Sequence, residues 1–260
     1  MNEPLILVSS AAAVTTLTLN RPLALNSFTT AMHKELLQAL NAAADDTSVR
    51  CVVITGQGRA FCAGQDLGDL AAAPGMDLGD LIAGHYKPLL QRLQSMPVPV
   101  MAAVNGVAAG AGANLALCCD MVVAGRSASF IQAFSKIGLV PDTGGTWLLP
   151  RLVGQARALG LFMLGDKLPA PEAAAMGMIW QCVDDDALQA TVLALAERLA
   201  RMPTAALVAT RKAMADAQGL SLEGALDLEA QLQTIRGSSH DYLEGVDAFR
   251  NKRPPTFTDR

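Results

Sequence analysis

The sequence predicts an α/β fold with a layered core, and three observations carry that expectation. Strand-type and helix-type hydrophobic periods alternate through the first half of the chain. Several of the strand runs are continuously apolar, as in parallel sheets covered on both faces. After Gly144 helical spacing takes over almost to the end. At 260 residues the chain exceeds the usual single-domain size of about 100–150, so it can hold one large core with an appendage.

The elements follow in order. Residues 5–8 and 14–19 read as strands, the second alternating Val-Thr-Thr-Leu-Thr-Leu with period two until Arg21-Pro22 ends it. Met32, Leu36, Leu40 and Ala43 share one helical face, and Cys51-Val-Val-Ile-Thr55, closed by Gly56, is a buried strand. A helix is predicted over 86–93, a strand over 98–104, a helix opening in the glycines at 110–112 and running to Cys119, and a strand over 121–124. From 146 to 251 the pattern is helical, punctuated by Pro169, Pro171 and Pro203. We divide the chain into a core at 1–200 and a C-terminal helical region at 201–260 that caps the core or makes oligomer contacts. Gly, Pro and Asp make 68–84 a mobile loop.

Charge and composition narrow the function. At 51% hydrophobic and 17% charged the chain is neither disordered nor fibrous. Twenty basic against twenty-four acidic residues give a net charge of −4, with no basic run longer than two, which argues against nucleic acid and anionic membranes and for a small-molecule partner. Residues 93–119 carry no charge, yet Pro97, Pro99, Asn105, Gly106, Gly110, Gly112 and Asn114 break the run, so no membrane span is expected. The five cysteines form no CxxC and the three histidines are scattered, so reduced thiols and no metal are expected. The N-terminus shows no signal peptide, which makes the expected location cytoplasmic.

Two stretches could carry chemistry. Asn105-Gly-Val-Ala-Ala-Gly-Ala-Gly-Ala-Asn114 places glycines where a strand meets a helix, exposing backbone N–H groups that suit an anion or a developing oxyanion. It spells neither a dinucleotide fingerprint nor a phosphate-binding loop. Gly58-Arg-Ala-Phe-Cys-Ala-Gly-Gln-Asp-Leu67 follows a buried strand, at the end of the sheet where α/β sites are built.

With Leu19-Asn-Arg-Pro-Leu-Ala-Leu-Asn-Ser27, Pro99-Val-Met-Ala-Ala-Val-Asn-Gly106, Cys119-Asp120, Gly138-Leu-Val-Pro-Asp-Thr-Gly-Gly145 and Phe249-Arg-Asn-Lys-Arg-Pro-Pro255, these stretches resemble the enoyl-CoA hydratase/isomerase (crotonase) family over nearly the whole chain. The resemblance implies a ββα spiral core with a helical C-terminal oligomerisation layer, a homotrimer or hexamer, and an acyl-CoA thioester as substrate. Coenzyme A belongs to that substrate, and no separate cofactor is implied. Two backbone N–H groups, at Gln65 and Ala111, would hold the thioester oxygen. Leu23, Leu25, Ala63, Gln65, Asp66 and Leu67 would grip coenzyme A, and Lys252 and Arg253 would approach its phosphates.

The departures point to the reaction. At the positions of the two glutamates of the family's hydratases stand Asn114 and Phe134, an amide and a phenyl ring that can neither activate water nor manage an α-proton. Two acids remain nearby, Asp120 and Asp142. Asp120 reads as a structural turn residue. From the residues alone, Asp142 is an N-cap for a helix starting near Thr143; by the resemblance it is the single catalytic carboxylate of an isomerase. The runs 106–114 and 130–154 are most similar to the family's isomerases of aromatic (phenylacetate) catabolism. These imply conversion of a ring-1,2-epoxyphenylacetyl thioester to an oxepin thioester and the shift of a 3-enoyl-CoA double bond to position 2. Two other readings stay open: an aryl-CoA dehalogenase with Asp142 as nucleophile and His85 activating water, and a non-catalytic binder of CoA thioesters.

Overall fold

The computed structural model of the chain describes residues 3–71 and 77–260. β1 (Ile6–Ala11) and β2 (Val14–Leu19) form an antiparallel hairpin turned at Ala12 and Ala13, both at positive φ. α1 (Thr30–Asp45) is capped by the Thr29 hydroxyl, which accepts from the Met32 N–H, and it buries the predicted face of Met32, Leu36, Leu40 and Ala43. The chain continues through β3 (Cys51–Gly56), β4 (Ala60–Cys62), α2 (Leu67–Ala71), α3 (Leu78–Leu81), a π-helical turn (Ile82–Tyr86) and α4 (Lys87–Gln94). Next come β5 (Val100–Val104), β6 (Val107–Ala109), α5 (Ala111–Leu117), β7 (Met121–Gly125) and β8 (Ser129–Ile131). After these follow α6 (Gly145–Val153), α7 (Gln155–Leu164), β9 (Lys167–Pro169), α8 (Ala170–Ala175), β10 (Gln181–Val183) and α9 (Leu188–Ala200). The C-terminal arm is α10 (Thr204–Ala217), α11 (Leu222–Gly237) and α12 (His240–Arg250).

Among the described residues the strands form two sheets, in the orders β1-β2-β3-β5-β7-β10 and β4-β6-β8-β9. β3, β5 and β7 are parallel neighbours in the larger sheet, and β4, β6 and β8 are parallel neighbours in the smaller one. Each pass of the chain thus leaves one strand in each sheet before moving on, which generates the ββα spiral. The corners are tight. A Cβ on Gly56 would overlap the Ala60 carbonyl oxygen, and one on Gly106 would overlap that of Arg59. α9 closes one face of the larger sheet by packing Leu188, Val192, Ala196 and Ala200 on Cys51, Val53, Met101 and Val123.

Several expectations are corrected. The two stretches that could carry chemistry contain β4 and β6, strands for which the sequence shows no sign: each is too short to show a period and is ordered by pairing with the other. The 68–84 segment is largely helical where described, in α2, α3 and the π-helical turn; residues 72–76 lie outside the described residues. The helix opening in the glycines ends at Leu117, and β9 and β10 interrupt the C-terminal helical run. Asp120 has the structural role expected of it. Its carboxylate accepts the Val100 N–H (2.8 Å) and pairs with both Arg211 Nε (2.7 Å) and Nη2 (2.9 Å), tying α10 to the sheet. No helix among the described residues is long and apolar enough to cross a membrane.

Candidate active site

The segments that carry Gln65 and Ala111 meet at the end of the smaller sheet. Phe28 donates to the Gly64 carbonyl (2.7 Å) and accepts from Asp66 N–H (2.8 Å), and this one-sided bridge turns the intervening Gln65 N–H to the other side. Ala111 is the first residue of α5, so its N–H has no partner in the helix. Gly64, at φ +92°, lies directly against it: a Cβ there would sit 3.5 Å from the Ala111 nitrogen and 2.9 Å from the Ala109 oxygen. A Cβ on Gly112 would overlap the Cys62 oxygen. The first turn of α5 therefore packs flush on the end of β4, which brings the Gln65 and Ala111 segments together.

Around this corner the two non-acidic positions take different parts. Phe134, buried, turns its ring edge to Gly110, 3.6 Å from where a Cβ would stand, and makes an apolar wall. Asn114, fully buried, donates through Nδ2 to the Asp142 carbonyl (2.9 Å) and accepts on Oδ1 from Gln132 Nε2 (2.8 Å). Asp142 is not a helix cap. α6 begins at Gly145 with Gly144 as its N-cap and without a side-chain cap, and Asp142 contributes its carbonyl to the Gly145 N–H (2.8 Å). Thr143 at φ +48° and Gly144 at φ +70° bend the turn, and the Thr143 hydroxyl donates to Asp142 Oδ1 (2.8 Å). Burial pushes the Asp142 carboxyl above the usual range, and the Thr143 bond opposes that shift.

The Gln65 side chain is held from beneath. Its Oε1 accepts from the Tyr86 hydroxyl (2.8 Å) and lies 3.3 Å from His33 Nε2. Burial lowers the His33 pKa to about 4, so the ring is neutral near pH 7 and the Nε2 tautomer can donate to Gln65. His33 is sandwiched between Phe28 (4.6 Å between ring centroids) and His85 (5.7 Å). Sequence reading assigned no role to His33 or Tyr86 because neither sits in a motif.

The residues expected to grip coenzyme A divide. Leu25, at φ +51°, accepts the Ala63 N–H (2.9 Å), so the 21–28 and 60–67 segments run together, with Leu23 and Leu67 exposed. Asp66 is bound to Arg21 (2.9 Å), whose guanidinium holds its carboxyl below the usual range. Arg253 is engaged inside the C-terminal arm by Glu244 (2.6 Å) and Asp247 (2.7 Å), while Lys252, at φ +52°, is exposed.

The sequence profile of the enoyl-CoA hydratase/isomerase family matches residues 9–260. The chain belongs to that family. It is 51% identical over 248 residues to the 1,2-epoxyphenylacetyl-CoA isomerase of Escherichia coli, covering 94% of this chain and 95% of the relative. It is also 51% identical over 253 residues to a Rhodobacter capsulatus protein named "Probable enoyl-CoA hydratase", covering 97% and 96%. The crystal structure of an enoyl-CoA hydratase from Bacillus anthracis superposes with a TM-score of 0.92 at 32% identity, over 99% of this chain and 100% of the other. The protein is thus an enzyme of the enoyl-CoA hydratase/isomerase type, a family whose substrates are acyl-CoA thioesters. Two relatives at equal identity carry different reaction names, so the choice between hydration and isomerisation rests on the site.

Proposed function

We propose that this family member is an acyl-CoA isomerase with one carboxylate, Asp142, as its proton carrier. The observation that carries the reading is the substitution of both acid positions: Asn114 is buried and occupied in holding the Asp142 turn, and Phe134 is a hydrocarbon wall. Asp142 takes the α-proton of the thioester, and the Gln65 and Ala111 N–H groups hold the enolate oxygen. The resulting acid then returns the proton to the γ-carbon. The C–H bond broken at the α-carbon is replaced by one at the γ-carbon, and the double bond moves into conjugation with the thioester.

A 3-enoyl-CoA becomes a 2-enoyl-CoA in this way. A ring-1,2-epoxyphenylacetyl thioester is the valence tautomer of an oxepin whose ring double bond lies β,γ to the carbonyl, so the same α-to-γ transfer yields the conjugated oxepin thioester. The relative from Escherichia coli supports this substrate. Leu23, Leu25, Ala63, Gln65, Asp66 and Leu67 would line the coenzyme A path, and the exposed C-terminal arm would assemble three or six copies. Lys252 rather than Arg253 is the cation free to meet phosphate, since Arg253 already has two carboxylate partners.

The test is Asp142→Asn, assayed with a 3-enoyl-CoA and with the ring-epoxide thioester. Turnover is expected to fall by roughly 10²–10⁴, with thioester binding retained. If mutant and wild type are equally active, Asp142 is not the proton carrier. If both are inert yet bind, the protein is a thioester-binding member without this activity.

A further inference from the structure

Gly64 and Gln65 share the peptide plane that carries the Gln65 N–H, and its tilt is set by the ψ of Gly64 and the φ of Gln65. Gly64, at φ +92°, has no Cβ to limit the tilt from its own side. The plane is held by its neighbours instead. Phe28 holds the backbone, donating to the Gly64 carbonyl (2.7 Å) and accepting from the Asp66 N–H (2.8 Å). The second hold is on the Gln65 side chain, whose Oε1 accepts from the Tyr86 hydroxyl (2.8 Å) and lies 3.3 Å from His33 Nε2.

The two holds are parts of one cluster. The Phe28 ring stacks on His33 at 4.6 Å between centroids and meets Tyr86 edge-on at 6.0 Å, and Tyr86 meets His33 edge-on at 4.3 Å. His33 and Tyr86 are both buried, and Tyr86 ends the π-helical turn, a rare geometry that recurs at functional sites. The arrangement is costly, because Gln65 Nε2 and His33 Nδ1 are buried without a hydrogen-bond partner among the described residues. A methionine in place of Gln65 would fill similar space and leave no bare amide nitrogen. What the polar contact supplies and an apolar one does not is a fixed direction.

We propose that Tyr86 is a positioning residue for the thioester contact, with His33 as its second anchor: by gripping the Gln65 carboxamide they fix the tilt of the Gly64–Gln65 peptide and so the direction of the Gln65 N–H. This rests on the placing of the thioester oxygen between Gln65 and Ala111, not on the reaction that follows. A hydrogen bond weakens steeply with misalignment, and a charged oxygen loses more by it than a neutral carbonyl. A loosened Gln65 N–H therefore costs the enolate more than the bound thioester.

The experiment is a double-mutant cycle on the full chain with Tyr86→Phe and Gln65→Met, neither of which removes a backbone N–H. Turnover is read with a 3-enoyl-CoA. The hydrogen bond is read apart from turnover, by the infrared carbonyl band of bound butyryl-CoA isotopically labelled at the thioester carbonyl, which has no double bond to move. Tyr86→Phe is expected to lower kcat about tenfold with KM nearly unchanged, and to shift the band to higher frequency, because a weaker hydrogen bond leaves the C=O stiffer. In the Gln65→Met background the same substitution is expected to change neither. His33→Phe keeps the stack and is expected to shift the band in the same direction by less, its contact being longer. Should Gln65→Met fail to fold, the band in wild type and Tyr86→Phe decides. A band that Tyr86→Phe leaves in place overturns the proposal, as does an equal loss of kcat from Tyr86→Phe in both backgrounds. A band shift in Tyr86→Phe, with no isomerisation of the 3-enoyl-CoA by wild type, would overturn the proposed reaction and leave this inference standing.

Discussion

Asp142 is poised by two opposing effects, and a mutation can separate them. The group must be ionised to take a proton. Burial raises its folded-state pKa, so kcat/KM is expected to fall on the acid side with an apparent pKa above that of an ordinary carboxylate. The Thr143 hydroxyl bonds the charged form and therefore lowers the pKa. Thr143→Val keeps the branched shape at φ +48° but removes that bond, so the acid limb should move to higher pH while the plateau rate changes little. A pH–rate profile of the two proteins measures the shift; an unmoved limb would mean that Thr143 does not tune the base. Asn114 acts on the same aspartate through its carbonyl. Asn114→Leu removes one of the two donors to the Asp142 carbonyl, the Gly145 N–H remaining, and leaves the Gln132 Nε2 without its partner, so we expect stability to drop by about 1–3 kcal/mol and kcat by roughly tenfold, with thioester affinity nearly unchanged. Denaturant titration and steady-state kinetics check both. What the sequence showed here was the loss of the acids, since Asn114 and Phe134 can be read off the motifs. The amide relay from Gln132 was hidden, because it joins side chains 18 residues apart that no local pattern links.

Elements divide by whether their signal is local. α1 was legible because Met32, Leu36, Leu40 and Ala43 mark one face over three turns, and β3 because six consecutive residues are buried. β4, β6 and β8 are three residues each, shorter than any readable period, and exist because the spiral lays them side by side. The attachment of α10 is likewise invisible locally. Arg211 reaches 91 residues back to Asp120 and also donates to the carbonyls of Met96 (2.9 Å) and Val98 (2.8 Å). Replacing it by leucine strands a partly buried aspartate and two carbonyls. Arg211→Leu is expected to cost about 2 kcal/mol, less than a fully buried pair because water still reaches Asp120. Urea unfolding measures this, and a change below about 0.5 kcal/mol would show that the arm is held by its apolar contacts instead.

At the scale of the molecule, the core and the arm obey different rules. The spiral buries its inner strands β3, β4, β5 and β7 almost completely, whereas α11 contains no buried residue in sixteen and exposes Leu222, Leu226 and Ile235. α12 adds Tyr242, Leu243 and Phe249, the last 85% exposed. A helix with no buried residue draws little stability from its own chain's core, and exposed apolar side chains on this scale suit contact with another molecule. The sequence carried the apolar residues and the motif resemblance that implied assembly, but not which face would be bare, because that depends on how α10 docks. We expect light scattering to give a mass three or six times 27.1 kDa. Phe249→Asp combined with Leu222→Glu places charge where apolar contact is needed, so this variant should sediment as a smaller species while the spiral keeps its circular dichroism. A wild-type monomer at micromolar concentration would mean that the arm's apolar face serves something other than copies of this chain. A double variant that assembles normally would move the contact off these two helices, to surfaces of the core such as those around the exposed Trp147 and Trp180.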